Sequence, residues 1–429
     1  MRWVFVNHRY APFLGGSEQH VQALAEHLAR RGHDVSVVTS NAFDLEYFWD
    51  GSARRVRRPM VEQISGVTVR RVPVAHGWNQ PLTFQGGRRG MGELSRVVRW
   101  ERPFREVSRR FPRFRDFEEA LLAGGTPDVV FAANLGLEGL ALRAHEVARA
   151  CGAAYVLMPL LHLGAADDPV PRRYVSMPHQ RRLLRHADLI FAMTDMEADF
   201  INSFGVPASR IAVVGVGVFP DQLVGGDGAA FRRNHHLDGF LVGALGALAP
   251  EKGTLDLIRA VGYARAHGED LSLVAAGPAI STFSHQLARL SAVEREGVHL
   301  LGVITQEEKR DMLAAIDVLA LPSRSESFGI VFLEAWANKR PVVGANAGAV
   351  PELVRAGENG LLVEFGQPNE LGEALIRLKS DPCDSTRLGA AGERLMREKY
   401  TWPRVLARMD AAYQRVLGID VTECAQRDG

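Results

Sequence analysis

Lysine is nearly missing from this chain. It occurs five times, at positions 252, 309, 339, 379 and 399, among 51 basic side chains in 429 residues. Arginine is therefore the default cation. A cluster of arginines carries little information here, and a lysine kept at a particular place carries more. Cysteine is also scarce: Cys151, Cys383 and Cys424 are odd in number, far apart and outside metal-ligand spacing. That excludes a disulfide framework and fits a reducing compartment. No apolar run approaches the ~20 residues of a membrane-spanning helix. The opening "MRWVFVNHRY" is already a strand pattern and lacks a long apolar signal core. Net charge is only +1, and no RNA- or DNA-binding motif is present, so nucleic acid is not the expected partner. No G-x-G-x-x-G follows the first strand, which argues against a dinucleotide dehydrogenase. The expected address is the cytoplasm, with peripheral contact at the inner face of the membrane as a further reading.

What is present is an alternation of short apolar runs with amphipathic stretches. In the first half the strand candidates are residues 3–7, 34–40, 67–74, 128–134, 154–161, 188–194 and 210–218. In the second half they are 240–246, 271–277, 298–304, 317–323, 341–348 and 360–365. Such runs suit strands buried on both faces of a parallel sheet. Between the first two, Val21, Leu24, Ala25 and Leu28 share one helical stripe closed by Gly32. The rhythm predicts an α/β protein of two doubly wound parallel-sheet, Rossmann-like domains facing an interdomain cleft. We expect an N-terminal domain over 1–220, a C-terminal domain over 221–403, and a C-terminal segment over 404–429. The join falls in the glycine-rich "FPDQLVGGDGAAF" (219–231).

An insert at 76–122 interrupts the first rhythm. Within it, residues 88–115 hold ten arginines against three acids, with Phe104, Val107 and Phe111 at helical spacing. Two readings fit: a basic amphipathic surface for anionic lipid or an anionic acceptor, and a solvated helix in an arginine-rich chain.

The stretch "RSESFGIVFLEAWANKRPVVGANAGAVPELV" (324–354) places two carboxylates, Glu326 and Glu334, in an apolar context. The strand at 317–323 ends just before it, and the helix is expected to begin around Phe328–Gly329. A helix start offers unpaired N–H groups and the positive end of the dipole, an anion site. Gly329 is expected to let an anion approach the backbone. Glu334 lies about five residues into the helix, ~8 Å along the axis at 1.5 Å per residue. A diphosphate cradled at Ser327–Gly329 would then have one carboxylate at each end. Carboxylates accept from hydroxyls, and a nucleotide-sugar carries hydroxyls on both sides of its diphosphate.

"ESFGIVFLEAWANKRPVV", with "GAVPELV" and "GENGLLV" after it, closely resembles the signature of glycosyltransferase family 4, which has the GT-B fold. The resemblance extends in order along the chain through "APFLGGSEQHVQALAEHLARRGHDVSVVT" (11–39), "ADLIFAMTDMEADFI" (187–201), "GALAPEKG" (246–253) and "YTWPRV" (400–405). It leaves out only the insert. It implies a retaining glycosyltransferase that moves a sugar from a nucleoside-diphosphate sugar to an acceptor hydroxyl, with the donor in the C-terminal domain. By resemblance, Glu334 binds the ribose hydroxyls and Glu326 holds the donor sugar. Ser327 and the backbone of Phe328, Gly329 and Ile330 meet the phosphates. Lys252 neutralises the departing diphosphate, Gly15 and Gly16 let the N-terminal loop approach it, and His162 lies near the transferred sugar. His8 and His20 are read as structural, His33 as a turn residue, and His235–His236 have no zinc spacing.

The family usually has an arginine five residues before the lysine. Here that position is Ala247: either another cation substitutes, with Arg324 the nearest candidate in sequence, or the leaving group differs, or activity is reduced. No metal and no cofactor are expected, since "ADDP" (166–169) does not follow a strand as a metal-binding acid pair would. Two rivals are a nucleotide-sugar 2-epimerase on the same fold, and a non-catalytic sugar-nucleotide-binding partner motivated by Ala247. The acceptor class stays open among a lipid-linked glycan, an exopolysaccharide and a natural-product scaffold.

Overall fold

The computed structural model describes residues 1–13, 15–58, 60–76, 80–164 and 169–422. The chain forms two units, each built on its own sheet. The first takes Met1–Leu161, Pro169–Gly215 and the C-terminal residues from Leu406. The second takes Val216–Val405 and a short stretch around His162.

In the first unit the strands are β1 (Arg2–Val6), β2 (Asp34–Ser40), β3 (Val61–Ile64), β4 (Val67–Val72), β5 (Val129–Ala133), β6 (Ala154–Met158), β7 (Leu189–Ala192) and β8 (Ile211–Val213). Their order is β3-β4-β2-β1-β5-β6-β7-β8, parallel except for β3 against β4. β1, β5, β6 and β7 are buried along almost their whole length, and this is why they read as continuous apolar runs. β3 escaped the sequence reading for the opposite reason. It is a four-residue edge strand, Val-Glu-Gln-Ile, with no apolar run and no fully buried residue, folded back through Ser65 and Gly66, both at positive φ as a tight hairpin demands. Aromatic rings tie the core together. Phe5 stacks on Phe131 at 4.8 Å between centroids, and Tyr413 from the C-terminal segment packs on Trp3 at 5.0 Å and on Phe191 at 5.2 Å.

The insert carries helices Gln80–Leu94, Glu101–Arg109 and Phe117–Leu122. The expected stripe of Phe104, Val107 and Phe111 is not one face. Phe104 is buried and its ring meets His179 edge-on, Val107 is exposed, and the buried neighbour of Phe104 is Ser108. The helix packs inward against Gly139–Cys151 and Pro178–His186, so its apolar anchor belongs to the protein's own core.

In the second unit the strands are β9 (Phe240–Leu245), β10 (Leu271–Ala276), β11 (Val298–Gly302), β12 (Val318–Leu321), β13 (Val342–Ala345) and β14 (Leu361–Val363). All are parallel, in the order β11-β10-β9-β12-β13-β14. The order reverses between β9 and β12, where ligands collect beyond the carboxyl ends of doubly wound sheets. The glycines of the 219–231 stretch serve packing. A Cβ on Gly226 or Gly228 would collide with the backbone of helix Gln306–Ala315. Helix Ile330–Ala337 is buried almost all round and rests on helix Pro382–Lys399, where Gly392 makes room for Trp336.

Two glycines in helices of this unit should respond oppositely to alanine. Gly262, inside Thr254–Ala266, has open space at its missing Cβ. Gly262→Ala should stabilise by about 0.5–1 kcal/mol through helix propensity alone. Gly389 lies where a Cβ would fall on the Lys339 carbonyl oxygen, so the same gain is outweighed by a forced backbone shift. Gly389→Ala should destabilise by about 1–3 kcal/mol. Urea midpoints of the two variants check this, and a shift of the same sign in both would contradict it.

Candidate functional site

Two loops leave the sheet of the second unit on either side of its order reversal. The loop after β9 runs through Gly246 and Ala247 into a single 3-10 turn, Pro250–Lys252. The loop after β12 runs from Pro322 to Gly329 and enters helix Ile330–Ala337. Gly253 brings the loops together. Its φ of +68° closes the turn, and a Cβ there would collide with the Pro322 carbonyl. The Arg324 N–H donates to the Glu251 carbonyl at 2.9 Å, a second stitch between the loops.

With the backbones so fixed, the Lys252 Nζ donates to Glu326 Oε1 at 2.6 Å. The pair is partly sheltered, with 24% and 11% of the side-chain surfaces exposed. His162 joins it. The ring feels the charges of Glu326 and Lys252 and hydrogen-bonds to the Ser325 backbone. Desolvation, together with Lys252, holds its pKa below the usual histidine value despite Glu326. The neighbouring Gly164 N–H donates to Ser325 Oγ at 3.2 Å. Three residues singled out from the sequence, Lys252, Glu326 and His162, thus meet at one place.

The helix begins at Ile330, with Gly329 as its N-cap at φ +93°. Gly329 has no side chain with which to cap the first amides, and the Phe332 N–H donates to the Gly329 carbonyl at 3.0 Å. Glycine at 329 also has a backbone reason. The positive φ requires it, and a Cβ would press on the Phe332 ring at 2.7 Å. Phe328 is buried and packs edge-on against Tyr400 at 5.3 Å, anchoring the turn that carries Ser327.

Glu334 is 5% exposed on a helix whose other buried residues are all apolar. Its partner is Lys309, whose Nζ donates to Glu334 Oε1 at 2.7 Å. Sequence reasoning passed over Lys309, although its rarity was the signal that should have found it. Each carboxylate of the signature is thus held by one of the chain's five lysines.

The remaining expected residues lie in the first unit. Gly15 is the N-cap of helix Gly16–Arg30, and a Cβ on it would run into Glu18 and Phe13. At Gly16 nothing lies within 4 Å of the missing Cβ. Packing therefore explains Gly15 and leaves Gly16 free to admit a ligand. His8 and His20 are deeply buried, and burial pushes the pKa of each down to about 3, so both are neutral core residues. The acid pair of "ADDP" (166–169), Asp167 and Asp168, lies outside the described residues. Beside the carboxyl end of β2, a recess of about 650 Å³ is lined by Phe43, Arg54, Arg55 and Arg57.

Residues 15–217 match the glycosyl transferase 4-like domain, and residues 239–381 match the glycosyl transferases group 1 domain. The chain is 26% identical to an MMP alpha-(1->4)-mannosyltransferase of Mycolicibacterium hassiacum, over 97% of this chain and 98% of that one. It is 30% identical to a D-inositol 3-phosphate glycosyltransferase of Corynebacterium jeikeium, over 59% of this chain and 62% of the relative. Among solved structures, it shares its fold with Anabaena Alr3699/HepE in complex with UDP and glucose, at TM-score 0.67 and 18% identity, covering 96% of this chain and 99% of that one. Sucrose-phosphate synthase of Thermosynechococcus elongatus shares it at TM-score 0.71 and 17% identity, covering 97% and 99%. With both family domains in sequence and the fold of these neighbours, the chain belongs to the group 1, family 4 glycosyltransferases of GT-B type.

Proposed function

We propose that this glycosyltransferase is retaining and metal-independent, and moves a sugar from a nucleoside-diphosphate sugar to an acceptor hydroxyl. The observation that carries the reading is the Lys252–Glu326 pair, held at the strand-order reversal beside an uncapped helix start. Neighbours of this fold were solved with UDP and with UDP-glucose, which suits a uridine donor without selecting one.

On this reading the amides of Phe328, Gly329 and Ile330, with Ser327, meet the diphosphate. Lys252 opposes the charge that develops on it, work that fixed cations and helix termini do without a metal. Glu334 takes the ribose hydroxyls, Glu326 the hydroxyls of the donor sugar, and neutral His162 hydrogen-bonds to the same sugar. The anomeric carbon–oxygen bond breaks with its electron pair going to the phosphate oxygen. The acceptor oxygen attacks on the same face through a short-lived oxocarbenium-like state, and its proton passes to that phosphate oxygen. Arg324, stitched to the Lys252 turn through its own N–H, is the cation that takes the place left by Ala247. No cofactor takes part.

We place the enzyme in the cytoplasm, touching the membrane through 88–115. No helix of the described residues is long and apolar enough to cross a membrane. Val97 and Trp100 are 81% and 53% exposed among arginines 96, 99 and 102, an apolar pair inside a basic field. Vesicles containing phosphatidylglycerol should co-sediment with the wild type and clearly less with Trp100→Ala, whereas equal binding by both would remove this contact.

A thermal-shift screen against nucleoside diphosphates and their sugars tests the donor site. One ligand should raise the melting temperature of the wild type and leave Glu334→Ala unmoved. A shift that persists in Glu334→Ala refutes the site. The pH profile tests His162. Its pKa is lowered, so the neutral ring survives down to a pH clearly below 6.5, and kcat/KM should fall only beyond that point. Glu326 raises this pKa, so the residual activity of Glu326→Gln should show its acid limb at still lower pH. An unmoved limb would mean that another group titrates.

A further inference from the structure

Glu334 is the least explained residue of the site on stability grounds. It places a carboxylate on a helix flanked by Phe332, Leu333, Ala335 and Trp336, all fully buried, and is itself almost fully enclosed. Lys309 is nearly as sheltered, with 15% of its side chain exposed against 7% for Glu334. Replacing such a pair by apolar residues is often neutral or stabilising, so stability does not account for it.

Lys309 is also held firmly. It lies in the first turn of helix Gln306–Ala315, whose start carries a complete capping box. Thr305 Oγ1 accepts from the Glu308 N–H at 3.1 Å, and Glu308 Oε2 accepts from the Thr305 N–H at 2.7 Å. One residue beyond it, the Arg310 carbonyl abuts Gly226, and Asp311 Oδ1 accepts from the Asp227 N–H at 2.7 Å. The ammonium therefore starts from a fixed base, and so does the carboxylate it meets.

The identity of the cation is the second clue. In a chain that uses arginine almost everywhere, both lysines at this site sit on the two signature acids. A guanidinium forks across both oxygens of a carboxylate, as Arg54 does on Asp44 with bonds of 2.9 and 2.8 Å. An ammonium is a point donor. Lys309 bonds Glu334 Oε1 and leaves Oε2 without a partner from that side chain.

We infer that Lys309 is a positioning residue, fixing the Glu334 carboxylate by one oxygen so that the other is presented to the ribose hydroxyls of the donor. The inference rests on the assignment of Glu334 to the ribose and adds what makes that assignment work. Lysine is required here because it is monodentate. Arginine would supply the charge and occupy the very oxygen the ribose needs.

The full-length protein is titrated by calorimetry with UDP, GDP and ADP and with the 2′-deoxy form of each. The ribonucleotide that binds should be preferred over its deoxy form by about 10-fold or more, the weight of one hydrogen bond to a charged group. Glu334→Gln should reduce that preference to within about 2-fold. Lys309→Met should do the same, raising the donor KM while changing kcat little. Lys309→Arg should keep the melting temperature of the wild type and still lose the preference, and it also keeps the test valid if the methionine variant folds poorly. A ribose preference retained in Lys309→Met or restored in Lys309→Arg overturns the inference, because lysine would then supply charge alone or nothing. A preference retained in Glu334→Gln instead overturns the assignment of Glu334 itself. Binding of none of the three ribonucleotides overturns both.

Discussion

The geometry of the site depends on one close approach, that of Gly253 to the Pro322 carbonyl. Strands β9 and β12 are neighbours in the sheet, so their carboxyl ends start a strand spacing apart, ~4.8 Å. Loops leaving such ends diverge when the strand order reverses, and this divergence opens the space for a ligand. Here the missing side chain at 253 and the bond from Arg324 to Glu251 hold the loops together for a few residues before they part. An ammonium on one and a carboxylate on the other then meet with little freedom. The uncapped helix start comes three residues after Glu326, so the anion site and the ion pair are set by the same short run of backbone.

Ion pairs sheltered from water add little net stability, since the cost of desolvating both charges roughly cancels their attraction. The second unit nevertheless keeps two of them at its ligand edge, each joining a lysine to a glutamate of the 326–334 segment. Fixed charges that cost nothing to reorganise are what a site needs when charge develops during reaction. The same choice of side chain recurs in both. A lysine leaves a carboxylate half free, and a half-free carboxylate can still accept from a hydroxyl.

Most strands were legible because burial on both faces writes an apolar run into the sequence, and each of the thirteen candidate runs overlaps a strand of one of the two sheets. The fold class followed from the rhythm. β3 was not legible, because an exposed edge strand has no reason to be apolar. Of the site, Lys252, Glu326 and His162 were nameable through resemblance, and the structure brings them together. Lys309 was not. It lies 25 positions before Glu334, and no local pattern connects them. Only a sheet that carries both following helices to the same edge does so. Gly329 carries a reason the sequence did not show: its positive φ and the Phe332 ring require glycine there before any ligand does.

Ala247 makes charge balance the sharpest question at the site. A departing diphosphate brings about two negative charges, and the loss of one stabilising donor typically costs about 10²–10³ in rate. Lys252 alone does not answer this, because in the free protein its charge is already matched by Glu326. The helix start contributes the equivalent of about half a positive charge. On the proposed reading Arg324, whose N–H donates to the Glu251 carbonyl beside the lysine turn, supplies the further cation. On the proposed reading, Lys252 turns from Glu326 towards the phosphate as negative charge accumulates there, and the released Glu326 oxygen becomes available to the sugar. The ion pair of the free enzyme would then be a store of aligned charge rather than a lock. Substituting Ala247 for the usual arginine would be tolerable to the degree that this exchange, and Arg324, supply the second cation at the moment the bond breaks.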